Sequence, residues 1–349
     1  MHKFDYKNQI KDLYTPDVVN SLCSISKFQG RQDLFLDTSP EVLNDLLKYA
    51  KFNSIISSNR IEGINIDQKS EDDLLKDKFS PVSRSEKELA GYRGVLELIH
   101  ESNEFIPIKP KVILQLHRDM YKNIDLSFKG QYKNADNIIQ EIDKEGNRRV
   151  RFYTVPAVAT EAAVEDMCAS FEEAWEDNEV NRVLLSMMFI LDFLCIHTFI
   201  DGNGRLSRLL TLLLMYKCGL IVGKYISIEC IIEETKLTYY ESLRLSSEDW
   251  HENNNNYLPF VDYMLGVIMR AYGEFENKIS RSNDGSNNKP KVVELAIKET
   301  LGKQTKREIR EKCPGVSDVT IARTLSRLQK EGKVEKIGGG RYTYYVSKF

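Results

Sequence analysis

Twelve consecutive residues, H-T-F-I-D-G-N-G-R-L-S-R at positions 197–208, bring a base, a carboxylate, two glycines and two arginines into one stretch. His197 has an ordinary pKa that permits proton removal near neutrality. Asp201 offers a hard oxygen of the kind Mg2+ accepts beside phosphate oxygens. Gly202 and Gly204 let the main chain approach an anion with no Cβ in the way. Arg205 and Arg208 stand three apart, on one face of any helix that begins here, with forked donors matched to phosphate. The start of such a helix adds unpaired N–H groups and the positive end of its dipole. These parts suit Mg2+-dependent transfer of a phosphorus-containing group. A histidine, a G-N-G turn or an arginine pair alone is commonly structural; the convergence of all the roles in twelve residues singles this segment out.

Positioning those residues requires two helices that meet at the turn. The apolar run 183–196 predicts a helix ending near His197, and 204–217 predicts the next. The spacing predicts further helices over 85–101, 110–122, 160–177, 236–247 and 257–279. Residues 130–154 break the pattern, with β-type residues on either side of Lys144-Glu145-Gly146-Asn147, and predict a β-hairpin. Upstream, Ser39-Pro40-Glu41 reads as a helix start. Val42, Leu43, Leu46, Leu47 and Ala50 continue it as an apolar stripe, with Gly63 as the stop. The first forty residues read as irregular. His2, at the terminus, reads as mobile, and His100, His117 and His251 read as structural.

The 197–208 run resembles the signature of the Fic family, H-x-F-x-[DE]-G-N-G-R-x-x-R, at every defined position; Thr198 stands where proline is usual. The resemblance extends over about residues 85–279. It implies a mainly α fold, a helical core with a β-hairpin flap, and a protein adenylyltransferase that moves AMP from ATP to Tyr, Thr or Ser hydroxyls, its own included. His197 would be the general base, Phe199 the loop anchor and Asp201 the Mg2+ ligand. Gly202, Asn203, Gly204, Arg205, Leu206, Ser207 and Arg208 would bind the nucleotide, with the two arginines on the outer phosphates. Arg151, Phe152, Tyr153 and Thr154 on the flap's outgoing edge would line the nucleotide and register a target segment, and Tyr239-Tyr240 would border the adenine. Ser58-Asn59-Arg60-Ile61-Glu62-Gly63 is similar to the family's inhibitory pattern [ST]-x-x-x-E-[GN], which implies an ion pair of Glu62 with Arg208, and Ser58 and Gly63 belong to that pattern. In some relatives the same glutamate serves removal of AMP. A relative that uses another nucleotide, and a regulator whose Fic core is silent, are the other readings.

The chain has 349 residues, 42% of them hydrophobic, and a net charge of −3, an ordinary soluble composition. Its most apolar stretch, fourteen residues long, is too short to span a bilayer, and no secretory signal stands at the start. Six scattered cysteines without a C-x-x-C pair read as reduced core residues of a cytoplasmic protein. Residues 290–349 carry 14 Lys and Arg against 7 Asp and Glu, so a basic C-terminal module is expected after a polar linker at 281–289. Helices over 291–301, 305–312 and 317–331, then strands over 333–337 and 341–346, resemble a winged helix-turn-helix domain. Its basic face, with Arg323, Arg327, Lys333, Lys336 and Arg341, would fit DNA; such modules also serve protein binding or a homodimer. The expected organisation is an N-terminal region 1–84, a Fic domain 85–280 and the module 290–349.

Overall fold

The computed structural model describes residues 2–36, 40–142, 148–284, 289–300 and 302–349. Ser39, the turn at 144–147 and residues 285–288 of the expected linker lie outside them. The chain runs through α1 (Tyr6–Gln9), α2 (Pro16–Leu36), α3 (Pro40–Ile61), α4 (Gln68–Leu75), α5 (Arg84–Ser102) and α6 (Pro110–Met120). A hairpin follows, β1 (Ile138–Ile142) and β2 (Arg148–Tyr153). Then come α7 (Ala157–Trp175), α8 (Arg182–Ile196), α9 (Asn203–Lys217), α10 (Ile228–Glu234), α11 (Lys236–Ser247) and α12 (Leu258–Asp284). The last part is α13 (Lys289–Lys298), β3 (Lys303–Gln304), α14 (Lys306–Glu311), α15 (Asp318–Lys330), β4 (Val334–Ile337) and β5 (Tyr344–Ser347).

Helix α8 is the axis of the molecule because its residues are apolar almost all round, which leaves a helix no stable place but the interior. Asn181 starts it, its side chain accepting from the N–H groups of Val183 and Leu184 at 3.0 and 3.2 Å. It packs against α7, α9 and α12. Asp192 is its buried carboxylate. Trp250 Nε1 donates to that carboxylate at 2.7 Å and Tyr257 OH at 3.0 Å, and burial pushes its pKa up to about 7. The hydrophobic core of these helices runs from Phe4 to Ile279, so residues on both sides of position 85 share it.

Two expectations for the chain's outer parts are corrected. The first forty residues are not irregular: α2 is 21 residues long and packs against α12. Its inward stripe runs Val18, Leu22, Ile25 and then turns polar at Gln29 and Gln32, which hid the periodicity. Those two amides donate to the carbonyls of Cys218 and Gly219 at 3.0 and 2.9 Å, just past the end of α9. Nor does His2 hang free. It is 4% exposed, stacks on Trp250 at 4.1 Å, and holds the Trp250 carbonyl through Nδ1 at 2.6 Å. Cys23 is exposed rather than in the core, whereas Cys168, Cys195 and Cys313 are buried.

At the other end, α12 continues to Asp284, into the expected linker, because R-S-N-D contains no proline or glycine to stop it. The C-terminal module has its own small core, from Val292 to Val334. Its antiparallel sheet has the order β3-β5-β4, with Val346 facing Lys303 on one side and Glu335 on the other. Strand β3, two residues long, escaped the sequence reading. The module rests on α3: Arg310 Nη2 and the Gly315 N–H both donate to Asp45, at 2.9 and 3.0 Å. Arg307 pairs with Glu71 at 3.1 Å and lies over the Phe52 ring. Among the described residues no helix is long and apolar enough to cross a membrane.

Candidate active site

Helix α8 ends at His197, whose φ of 55° is left-handed, an uncommon state for a residue with a Cβ. The loop that follows is pinned from inside. Phe199 is fully buried and stacks on His117 at 3.7 Å. Asn203 bonds both polar groups of Phe199: its Oδ1 accepts from the N–H at 2.9 Å and its Nδ2 donates to the carbonyl at 2.8 Å. His117 accepts the Gly130 N–H on Nδ1 at 2.9 Å and meets the Asp201 carbonyl through Nε2 at 3.0 Å. Its surroundings therefore do converge, on the loop rather than on a substrate. Gly202 takes φ 83°, and a Cβ there would come within 2.9 Å of Tyr121 OH, so both its conformation and its neighbours require glycine.

Helix α9 then starts, and its amino end points at a carboxylate. A Cβ on Gly204 would collide with Glu62 Oε1, so the glycine is what lets this anion reach the helix terminus. Arg208, one turn on and 4% exposed, donates from Nε to Ser58 Oγ at 2.9 Å, from Nη2 to the Ser58 carbonyl at 2.8 Å, and from Nη2 to Glu62 Oε1 at 2.7 Å. Glu62 sits there because α3 stops beneath it: Gly63, at φ 79°, donates to Arg60 O at 2.9 Å and Ile64 to Asn59 O at 3.0 Å, the paired bonds of a Schellman end. Lys236 Nζ caps the Ile61 carbonyl at 2.6 Å, tying α3 to α11.

The cleft beside this ion pair has a volume of about 560 Å³. His197, Gly204, Arg208 and Glu62 close its polar end, while Leu191 and Leu194 of α8 and Leu243 of α11 form its apolar wall. Tyr239 and Tyr240 both line it, Tyr239 buried against Arg208 and Ser207, Tyr240 half-buried. Burial, and then the nearby Lys133 ammonium, hold the His197 imidazole down at about 4, so it is neutral at pH 7. Its Nδ1 lies 3.4 Å from the Leu194 carbonyl; with the proton assigned there, Nε2 keeps a free lone pair.

Several expected site residues are placed elsewhere. Arg205 does not share the face of Arg208 in the cleft: its guanidinium turns to Glu88 at 2.6 Å and to Tyr121 OH at 2.5 Å, and it is 1% exposed. Tyr121 OH in turn donates to Asp201 Oδ2 at 2.9 Å, so Arg205, Tyr121 and Asp201 form one hydrogen-bonded chain. Leu206 is a core residue, and Ser207 donates back to the Gly204 carbonyl at 2.8 Å. On the hairpin Phe152 lines the cleft, but Tyr153 points to solvent and Thr154 is buried against Asn137 and Lys133. Simple alternation does not account for this, because the neighbours Arg151 and Phe152 both line the cleft; the ladder slips there, Ile139 pairing with Phe152 and Gln140 with Val150, so Arg151 is an extra residue in the strand.

Asp201 presents a half-exposed carboxylate, with Gly202 N–H on Oδ1 at 2.7 Å and Tyr121 on Oδ2. Among the described residues no group of three or more His, Cys, Asp or Glu could cage a metal ion. A single anchored carboxylate fits an ion that brings most of its ligands as water and phosphate oxygens, which is the habit of Mg2+.

Residues 107–215, from before α6 to the last turns of α9, match the model of the Fic/DOC family. This segment is a Fic domain. No curated protein matches the chain by sequence. Among solved structures, a Fic family protein from Desulfovibrio desulfuricans G20 is 18% identical with a TM-score of 0.60, and 96% of each chain is covered. A Fic domain containing signaling protein from Bacteroides thetaiotaomicron VPI-5482 is 20% identical with a TM-score of 0.60, covering 74% of this chain and 98% of that one. Fic-1, residues 134–508, from C. elegans is 18% identical with a TM-score of 0.57, covering 76% of this chain and 74% of that one. Glu62, Tyr239 and Tyr240 lie outside the matched Fic segment yet line its cleft, so the site is completed by helices on both sides of the domain.

The sequence missed the apolar wall. Leu191, Leu194 and Cys195 form one face of α8 leading to His197, and Tyr240, Leu243 and Ser247 form one face of α11. That spacing was legible, and extending each face by a turn from the expected site residues would have found them. Tyr121 and His117 carried no such signal, since both act across more than 75 positions of sequence.

Proposed function

We propose that the protein is an autoinhibited protein adenylyltransferase, transferring AMP from ATP to a Tyr, Thr or Ser hydroxyl of a protein and of itself. The observation that carries the reading is the Glu62 carboxylate at the amino end of α9 on Arg208: an anion already rests where a phosphate would be held. The cleft beside it has one apolar wall for a base and one neutral imidazole for a proton. Mg2+, when bound, would neutralise charge on the phosphates, and Asp201 would hold it. In the transfer, His197 Nε2 takes the proton of the target hydroxyl. The hydroxyl oxygen forms a bond to the α-phosphorus, the bond to the bridging oxygen breaks, and pyrophosphate leaves with the electron pair. The amides of Gly204 and its neighbours and the Arg208 guanidinium supply fixed positive ends to the triphosphate. With Glu62 in place Arg208 is committed, and the triphosphate has no productive seat.

Labelling with α-labelled ATP and Mg2+ tests this. Glu62→Gly is expected to raise self-modification about 10-fold or more, and His197→Ala in that background to lower it about 100-fold or more. Equal labelling by wild type and Glu62→Gly would remove the brake; label from a triphosphate other than ATP would change the donor. AMP removal is a second reading, favoured by Glu62 lying in the same cleft as His197 with a third of its side chain exposed, where it could align a water. Loss of AMP from a premodified chain in wild type but not in Glu62→Gly would establish it. For the C-terminal module we propose a winged-helix role in binding DNA, supported by exposed Arg323 and Lys330 on α15. No mobility shift at low salt with any duplex would overturn that part.

A further inference from the structure

A buried lysine sits beneath the site, and the chemistry described so far does not use it. Lys133 is 3% exposed. Its main-chain N–H donates to the Thr198 carbonyl at 3.0 Å and its Nζ to the Ile196 carbonyl at 3.0 Å, so one residue holds the carbonyls on both sides of His197. The other two Nζ protons go to Asn137 Oδ1 at 2.9 Å and Thr154 Oγ1 at 2.8 Å. Thr154 leads out of β2, and Asn137 reaches across to the Phe199 carbonyl at 3.1 Å. We infer that Lys133 is a positioning residue, one that fixes the orientation of His197 and locks the root of the hairpin to the same loop.

A left-handed residue with a side chain is strained and persists only where its surroundings over-determine it; the two bonds flanking His197 do so. Ile196 is the last residue of α8, and a cation on a terminal carbonyl both satisfies it and meets the negative end of the helix. Finally, all three ammonium protons go to neutral oxygens, and the carboxylate that acts on it electrostatically is Asp136. An uncompensated charge is expensive to bury, and shape alone would be met by methionine. What the charge adds is a field at His197. The charged groups that act there are Lys133, which disfavours protonation, and Glu62 and Asp201, which favour it. Burial does most to keep the resting imidazole neutral and Lys133 adds to it, so the lone pair is available when a hydroxyl arrives.

This inference rests on His197 being the base, so the test separates the two. In the Glu62→Gly background, Lys133→Met and Lys133→Arg would be compared by NMR titration of the His197 imidazole, by kcat and by KM for ATP. Lys133→Met is expected to shift the His197 titration upward and lower kcat about 10- to 100-fold, with KM changed less than about 3-fold; Lys133→Arg restores part of both. An unmoved titration with kcat within about 2-fold of the parent would overturn the inference. Should His197→Ala retain full activity, the base reading falls, while the titration still reports on the contact. If Lys133→Met fails to fold, Thr154→Val removes one acceptor and leaves the charge. It is then expected to lower kcat without moving the His197 titration, and a parental kcat would count against the lock.

Discussion

Arg205 and Arg208 are one turn apart on α9, and the same side chain serves two purposes. Arg208 meets an anion at the mouth of the cleft, whereas Arg205 is drawn inward by Glu88 of α5 and by Tyr121. Tyr121 OH is shared between Arg205 and Asp201, so it couples a buried cation to the expected metal ligand. Removing that hydroxyl with Tyr121→Phe should raise the Mg2+ concentration needed for half-maximal labelling about 10-fold in the Glu62→Gly background. Unaltered Mg2+ dependence would mean that Asp201 needs no such support. The type and spacing of the arginines were plain in the sequence; which of them reaches the cleft depends on carboxylates and hydroxyls contributed from residues 62, 88 and 121.

At the scale of elements, the loop between α8 and α9 is a rigid part rather than a flexible connection. Asn203 satisfies both main-chain groups of fully buried Phe199, and His117 satisfies Asp201 and Gly130. Asn203→Ala should therefore leave the buried Phe199 N–H without its partner, while the carbonyl keeps Asn137, and destabilise the fold by about 1–3 kcal/mol, read from urea unfolding. A loss under about 1 kcal/mol would show that water enters and replaces the amide. Helix α3 is comparably defined, because its Schellman end fixes where the chain turns and hence where Glu62 points. Its start, stripe and stop could all be read from the sequence. The hairpin was legible too, but not which residues of β2 meet the cleft, since a slip in the ladder at Arg151 lets the neighbours Arg151 and Phe152 both reach it.

For the whole molecule, α3 faces the cleft with one end and the C-terminal module along its side. Asp45 receives both Arg310 and the Gly315 N–H, and Glu71 lies between Arg60 and Arg307. Asp45→Arg and Arg310→Glu should each loosen the module, and the double exchange should recover about 1–3 kcal/mol in a thermal or urea double-mutant cycle. Under the brake reading the single variants should also label more strongly. Additive losses would show that the pair is not coupled. Stability should also depend on acid. Burial holds His2, His117 and His197 down at about 4 and His100 at about 3, against an ordinary 6.5. Their contribution is whole above pH 6.5, shrinks as the unfolded chain takes up protons below it, and is gone once pH falls past about 4. Asp192, pushed up to about 7, works the other way over about pH 7 to 4, one group against four. A lower urea midpoint at pH 5 than at pH 7 is expected; an equal or higher one would mean that Asp192 or unfolded-state structure dominates.

By itself, the sequence determined the helices around the turn, the run from His197 to Arg208, the position of Glu62 at a helix end and the separate basic module. Each of these is local: periodicity, caps, glycines and motif spacing act within a few residues. Only the tertiary structure decided that α2 and His2 belong to the core, that Arg205 turns to Glu88 and Tyr121 instead of the cleft, and that Lys133 holds both sides of His197. Those outcomes depend on partners 60 to 250 positions away, whose identity is set by which buried donors and acceptors must be satisfied once the helices pack.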